Sequence, residues 1–555
     1  MRIFILVSAL LVVTQLTTAQ LPNYTLAIQG GGPFYDQGRA VASDNAGNIV
    51  MTGVFEDSLA AFGDSVFTSF GQTDCFLAKY DQNGAFLWAK QLSSPENVFP
   101  YSVTSDGSDN IIVGGEFQNT LDLGDTALTS AGSYDAFVVK YDKDGTLLWA
   151  RSIGGRLGGE SAQAVATDDA GNIAVTGFYY VAASFGDTTL ISPTVSGDIF
   201  VARYTGAGQL LWVSSAGGVG SFDEGSSIVY HSDGTIYTSG RISYPGGKFG
   251  TTTIDGGGGY IAKYTSDGQV IWVTPTITTG LARAIQDIGL DEDGDVYGVG
   301  YFSDTLRVGT TILVTDNYND ALVLRLASDG TPLYAEQITG TKAVYGLTLA
   351  MEASSDFFTI AGYFSGAVEI GDTTLDSGGS SNTNSFIAAY TLGGFPAWAI
   401  QVRGPGSGTN RVGGSDTDGN GGILFTGSFQ ASLPAGDTTL TSRGGFDAFV
   451  FRLNTAGTVD VQPTKSVPEA YRLWQNYPNP FNPSTTIEYA LPYSGYVTMR
   501  VYNILGEEVA TLLAGDHAPG TFKATWDASI LPSGVYFYRL TAGEYVQTRK
   551  MILMK

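Results

Sequence analysis

Asp44-Asn45-Ala46-Gly47-Asn48-Ile49-Val50-Met51-Thr52-Gly53 reads as a tight turn, a short apolar run and a closing glycine. The pattern returns at Asp169-Ala170-Gly171-Asn172-Ile173-Ala174-Val175-Thr176-Gly177, and its closing glycines are Gly53, Gly115, Gly177, Gly240, Gly300, Gly362 and Gly427. Successive glycines lie 62, 62, 63, 60, 62 and 65 residues apart. A second landmark, Gly before Asp or Thr, keeps that spacing at Gly63, Gly124, Gly186, Gly250, Gly309, Gly371 and Gly436. A third is a hairpin such as Ala136-Phe137-Val138-Val139-Lys140-Tyr141-Asp142-Lys143-Asp144-Gly145-Thr146-Leu147-Leu148-Trp149, whose aromatic recurs as Trp88, Trp149, Trp212, Trp272, Tyr334 and Trp398. Two landmarks holding one period through seven copies and a third through six establish a repeat protein.

Each copy reads as four short strands between Asp/Gly turns, with almost nothing at helical spacing. Asp-x-x-Gly supplies the positive-φ residue that a tight hairpin needs. Four strands per copy predict a blade, and the excess over the ~40–45 residues of a short blade predicts an extra loop around the Gly-Asp step. The seventh copy runs to Asn454-Thr455-Ala456-Gly457 and lacks its aromatic strand. Tyr24-x-x-x-Ile28-x-Gly30 matches Tyr334-x-x-x-Ile338-x-Gly340, so the N-terminal segment is expected to complete blade seven and close a ring. The expected fold is all-β: a seven-bladed β-propeller over residues 20–458, then a small Ig-like antiparallel β-sandwich.

The turn-and-strand landmark resembles the bacterial β-propeller repeat family called SBBP, with its pattern Asp-x-x-Gly-Asn-[Ile/Val]-Tyr-Val-Thr-Gly. The resemblance covers about Gln20 to Val459 and implies a secreted scaffold, without implying an activity.

Composition narrows the function. The 555 residues carry 28 Lys+Arg against 53 Asp+Glu, a formal charge of −25. Such a polyanion repels phosphate backbones, so no nucleic-acid partner is expected. Cys75 is the sole thiol, so no internal disulfide forms, and two histidines, His231 and His517, leave little for histidine chemistry. Arg2, the apolar run Ile3 to Val13 and Thr17-Thr18-Ala19 predict a signal peptide over 1–19, with no later run long enough for a membrane helix.

Pro463 and Pro468 mark a linker over 459–469, and residues 470–555 form a second module. From Ser466 onward seven basic residues balance seven acids, which leaves the propeller at −26. Strands are expected over 485–491, 497–502, 508–513, 520–526, 534–542 and 544–554. The motifs Leu473-Trp474-Gln475-Asn476-Tyr477-Pro478-Asn479-Pro480-Phe481-Asn482-Pro483, Val501-Tyr502-Asn503-Ile504-Leu505-Gly506, Leu531-Pro532-Ser533-Gly534-Val535-Tyr536 and Lys550-Met551-Ile552-Leu553-Met554-Lys555 resemble the type A C-terminal sorting domain of the type IX secretion system. The resemblance implies export through the periplasm to the outside of the cell and recognition of the tail by the secretion machinery. It assigns the signal to Tyr477, Pro478, Asn479, Pro480, Phe481, Asn482, Pro483, Gly506, Gly534, Tyr536 and Lys550.

No catalytic constellation is legible, and no cofactor is expected. The acidic turns Asp291-Glu292-Asp293-Gly294-Asp295 and Asp416-Thr417-Asp418-Gly419-Asn420 begin as calcium loops do but lack the closing bidentate Glu. Turn chemistry is the main reading, with calcium at Asp291, Asp293, Asp295, Asp416 and Asp418 as the alternative. His231 stands where other copies have Asp44 and Asp168, an exposed polar substitution; His517 reads as loop and Cys75 as a buried small residue. The repeated Trp reads as packing between blades. The expected function is a secreted or surface-displayed binding or structural protein, adhesin-like, with a glycan or protein ligand. The alternative is a carbohydrate-active enzyme using carboxylates on one face.

Overall fold

The computed structural model describes residues 22–454 and 471–554, apart from 57, 221, 279–281, 317, 380–381, 405–409, 474–475, 477–478, 480, 492–494, 518–519, 530 and 544. The expected signal peptide and linker therefore lie outside the described residues. The chain divides into two compact units at Thr458.

The first unit contains seven four-stranded antiparallel blades, two of them extended to six-stranded sheets by a hairpin of the next blade; strands follow chain order from the inside outward except in blade seven, whose outer strand comes from the N-terminal segment. In the first blade these are Asp36–Ser43, Ile49–Phe55, Asp74–Tyr80 and Phe86–Leu92. The inner strands of the other six are Val98–Ser105, Ser161–Thr167, Glu224–Tyr230, Ala282–Leu290, Val344–Ala350 and Asn410–Thr417. Each inner strand packs on the next, and Asn410–Thr417 packs on Asp36–Ser43, so the sheets form a closed ring. The cores lie in the seams: one cluster joins Cys75, Leu77 and Leu92 of blade one to Val98, Val113 and Phe137 of blade two. Cys75 is fully buried there, and burial pushes its thiol up to about 12.

Asn23–Gly30 pairs antiparallel with Thr438–Asn454 as the outer strand of blade seven. Its register differs from the sequence match by two residues. Leu26 faces Arg452 as Tyr334 faces Arg325, while Tyr24 faces Leu453 as Pro332 faces Leu326. The bulge between Tyr24 and Leu26 matches that between Pro332 and Tyr334, and Leu26 takes the slot that an aromatic fills elsewhere.

The expected loop at the Gly-Asp step is a two-stranded hairpin, Ser58–Phe62 with Ser65–Thr68 in blade one, turning at Gly63 with φ +58. These hairpins reach back to the preceding blade. Gly246–Phe249 pairs with Leu210–Gly217, Thr305–Val308 pairs with Val270–Thr278, and bridges at Gly31–Ala61, Ser93–Asp122, Gly154–Ser184 and Gly340–Val368 repeat the contact. An outer edge that would template aggregation is thereby partly covered.

The recurring Trp ties the seams from outside. Trp88, Trp149, Trp212 and Trp272 donate from Nε1 to the carbonyls of Lys143, Gly206, Ser266 and Ser328, each in the outer hairpin turn of the next blade, at 2.9–3.1 Å. A glycine with φ between +82 and +87, or +75 at Gly208, lies under each indole. A Cβ on Gly208 would sit 2.8 Å from Trp149, so the site requires both the backbone freedom and the missing side chain.

The second unit is a two-sheet sandwich. Arg472–Leu473, Ser484–Leu491 and Gly520–Asp527 form one sheet; Glu508–His517, Gly495–Tyr502, Gly534–Ala542 and Tyr545–Leu553 form the other. Both contribute to one core containing Ile487, Tyr489, Trp526, Met499, Tyr538 and Met551. His517 ends a strand; it does not lie in a loop.

Candidate functional site

The acidic turns are ion-paired within their own blade. The Lys79 ammonium lies 2.7 Å from Asp44, with side-chain exposures of 2% and 0%, and Lys140 pairs with Asp106 at the same distance. Burial alone would raise the Asp44 carboxyl, but hydrogen bonds from Lys79 and Asn48 hold it below the usual range. Arg203 with Asp168 and Arg325 with Asp291 and Asp295 repeat the arrangement. Arg325 sits 2.7 Å from Asp295 and 3.5 Å from Asp291, so a guanidinium already occupies the place the calcium alternative would give to a metal ion. Asp291 also accepts the amides of Asp293 and Asp295 and the Tyr297 hydroxyl. Asp418 accepts the amides of Asn420 and Gly422, and the Arg452 guanidinium lies 3.9 Å away. Asp416 is apart from its turn: it accepts the Ser43 amide, and burial pushes it up to about 6. Among the described residues no three His, Cys, Asp or Glu side chains are grouped to hold a metal ion.

Blade four departs from this rule. His231 takes the acid's place and Lys263 the cation's, with Lys263 4.8 Å over the Tyr237 ring. His231 is half-buried, contrary to the sequence reading, with Nδ1 3.0 Å from Asp233 and Nε2 3.3 Å from the Glu292 carbonyl across the seam.

The closing glycines of the first landmark have a structural cause. In six blades the inner strand carries a one-residue bulge opposite that glycine, as at Arg39 between Gly38 and Ala40; blade five has a longer irregularity. The bulge drives the inner strand's backbone against its neighbour. A Cβ on Gly53 would meet the Gln37 carbonyl at 1.9 Å, and one on Gly177 the Ser161 carbonyl at 1.8 Å. Glycine therefore permits the bulge, and the bulge adds one residue to the lining of the central channel. Those residues are Arg39, Tyr101, Gln163, Ser226, Gln286, Leu347 and Gly413, and all seven line one cavity of about 850 Å³ along the channel. Seven similar blades thus place six different residue types at this position, glutamine twice.

Aromatic and arginine side chains gather where the inner strands begin. Tyr345 lies 4.8 Å from Tyr301, edge to face, and 4.5 Å from Tyr363, stacked. The Arg411 guanidinium stands 5.4 Å over Tyr363, and Arg39 lies 5.0 Å from the Phe99 ring and 5.2 Å from Tyr101. The Tyr101 hydroxyl donates to Glu116 at 3.0 Å, and burial raises that carboxyl. Tyr35 lies in the fields of Arg39, Arg411 and Glu56, and burial raises its hydroxyl. On the same end of the ring Asp36 and Glu160 hold loops by accepting the amides of Gly32 and Gly155, and burial raises them to about 7 and about 8.

These positions escape a search for unusual loops because they lie inside regular strands. A fixed offset exposes most of them: Arg39, Tyr101, Gln163, Ser226, Gln286 and Gly413 each stand 14 residues before a closing glycine.

In the tail, most of the sequence-assigned residues are structural. The Phe481 side chain is buried against Trp526, its amide donates to the Ile552 carbonyl at 3.0 Å, and Asn479 accepts the Ile552 amide at 2.9 Å. Tyr536 donates to the Pro532 carbonyl at 2.8 Å, Gly534 opens its strand, and Pro483 accepts the Ala528 amide. Gly506, at φ +80, closes a turn in which Asn503 accepts the amides of Leu505 and Glu507. That turn leaves Ile504 71% and Leu505 77% exposed. Asn482 and Lys550 are also exposed, whereas Tyr477, Pro478 and Pro480 lie outside the described residues.

Residues 475–554 match the secretion system C-terminal sorting domain. The chain carries a C-terminal sorting domain. The sorting domain marks the protein for type IX export to the cell surface or the extracellular space. No helix among the described residues is long and apolar enough to cross a membrane. Among curated proteins, the chain is 23% identical over 496 residues to an uncharacterized WD repeat-containing protein of Acanthamoeba polyphaga mimivirus, covering 71% of this chain and 35% of that protein. It is 25% identical over 332 residues to the regulatory protein FlaEY of Caulobacter vibrioides, covering 58% and 29%. The chain thus spans about a third of the length of these relatives. Among solved structures, PorZ, a surface component of the type IX secretion system of Porphyromonas gingivalis, aligns over 93% of this chain and 81% of its own at 10% identity and a TM-score of 0.28. A mutant puromycin hydrolase aligns over 82% and 58% at 11% identity and a TM-score of 0.38.

Proposed function

We propose that this exported propeller is a non-catalytic binding protein, adhesin-like, whose ligand seats on the channel mouth. One observation carries the reading. The channel-facing bulge residues differ in type between most blades, while the closing glycines opposite them repeat in all seven. Selection for scaffold alone gives no reason for Arg39, Tyr101 and Leu347 to stand at equivalent places. Aromatic and arginine side chains are also the residue types that contribute most binding energy per position. The raised carboxylates Asp36 and Glu160 favour binding over catalysis in this scheme, because each is engaged in holding a loop.

The test is an array of neutral and acidic polysaccharides probed with the full chain and with a Tyr345→Ala/Arg411→Ala variant. The expected result is saturable binding by the native chain, at least about tenfold weaker in the variant, with the bound glycan recovered at unchanged length. Equal binding by both proteins, or binding of nothing on the array, overturns the mouth as the site. Shortened glycan overturns the non-catalytic reading.

A further inference from the structure

Resting on that reading of the mouth, we infer that its ligand is a carboxylate-bearing polysaccharide, gripped by Arg39 and Arg411 and laid along the tyrosines between them and blade five. The cations of the mouth are arginines in a molecule whose propeller carries a charge of −26. Repulsion from that charge opposes loose adsorption of any polyanion, so an anionic ligand is held only where local geometry outweighs the distant field. Elsewhere in the propeller the repeated cations Lys79, Lys140, Arg203 and Arg325 face turn carboxylates. Arg203 and Arg325 also lie over rings, Tyr230 and Tyr297, as do Arg39 over Phe99 and Tyr101 and Arg411 over Tyr363. Stacking fixes the plane of a guanidinium while leaving its N–H edge to engage a carboxylate by two parallel bonds. Of the acids near these arginines, Glu116 accepts the Tyr101 hydroxyl, and Glu56 shares the field around Tyr35.

The aromatic groups specify the rest of the ligand. Tyr301, Tyr345 and Tyr363 form a contiguous run from blade five to blade six, and Arg411 of blade seven continues it toward Arg39 of blade one. All are partly exposed. Amphipathic rings with polar tips suit a sugar ring, which offers an apolar C–H face and a polar edge, better than they suit a flexible acidic peptide. A linear chain with one carboxylate per residue would meet arginines at one end of this arc and tyrosines at the other.

The probe is short oligogalacturonate titrated into the full chain by calorimetry, with its fully methyl-esterified form as the uncharged control and oligoglutamate as the peptide control. The native chain should prefer the free acid to the ester by about tenfold or more, consistent with charge-assisted bonds. Arg39→Gln/Arg411→Gln should erase that preference, and Arg411→Gln alone, at an exposed position that folding tolerates, should reduce it. Tyr345→Ala should weaken acid and ester alike. Equal affinity for acid and ester, with Tyr345→Ala still harmful, overturns the charge assignment and leaves the binding face standing. Oligoglutamate bound as tightly as oligogalacturonate overturns the glycan assignment in favour of an acidic peptide. No binding of any of the three overturns this inference, while the array above separately decides the mouth.

Discussion

Removing the ammonium from Lys79 tests whether the repeated ion pairs hold the blades. Asp44 has no exposed side-chain surface and accepts the Lys79 ammonium at 2.7 Å, the amides of Ala46 and Asn48, and the Asn48 side chain. Lys79 also donates to the Lys143 carbonyl of the next blade at 3.3 Å. Lys79→Met keeps the aliphatic stem but strands a buried carboxylate, a change that costs about 3–5 kcal/mol when one partner of such a pair is lost. Asp44→Asn keeps the turn's acceptor and strands the cation, and should cost a similar amount. The double variant, with neither charge, should lose only about 1–2 kcal/mol, because desolvation of the pair offsets most of its attraction. A double-mutant cycle by urea unfolding therefore predicts a coupling of at least about 4 kcal/mol. Blade six shows that the arrangement is dispensable by design, since Ala389 replaces the cation and Glu352 turns to the Gly421 amide of blade seven. A double variant as unstable as Lys79→Met, or a single variant within about 0.5 kcal/mol of native, would refute the reasoning.

Three further outcomes follow from the same geometry. Asp36, Glu160, Asp198 and Asp320 are raised by burial to about 7, 8, 6 and 6, so the folded state holds their protons more tightly than the unfolded chain. Their contribution is complete below about pH 4 and is lost as pH climbs through 6 to 8, so the thermal midpoint should be higher at pH 5 than at pH 8, and Asp36→Asn with Glu160→Gln should flatten that slope. Gly208→Ala should destabilise by about 1–3 kcal/mol in a calorimetric scan, since it forces a left-handed residue against Trp149, whereas Ala at Trp149 as well should relieve the steric part. Ile504→Asp with Leu505→Asp should reduce the exported fraction of the protein in a type IX host while leaving unfolding unchanged, because both side chains are exposed and contribute little to the core; unimpaired export would remove this turn from the recognition surface.

The sequence alone determined the period, the all-β class and the export tail, because each depends on local chemistry. Asp-x-x-Gly turns, alternating apolar runs and the motifs from Leu473 to Lys555 act within a few residues of themselves. Tail strands read from sequence agree with Ser484–Leu491 and Gly534–Ala542 to within a residue. Register and display were decided only in three dimensions. Leu26, not Tyr24, fills the aromatic slot, since the closing strand pairs two residues away from the register its sequence suggests. The Gly-Asp loops became hairpins because the outer edge of the preceding blade offers them partners. Sequence could not show that Arg325, from a strand thirty residues on, ion-pairs with Asp295 and lies 3.5 Å from Asp291. The closing glycines gave the repeat its period, but their purpose appears only when the neighbouring strand bulges over them and adds Arg39 and Tyr101 to the channel lining. A pattern of spacing records which backbone is needed; which side chains meet across the ring depends on closing it.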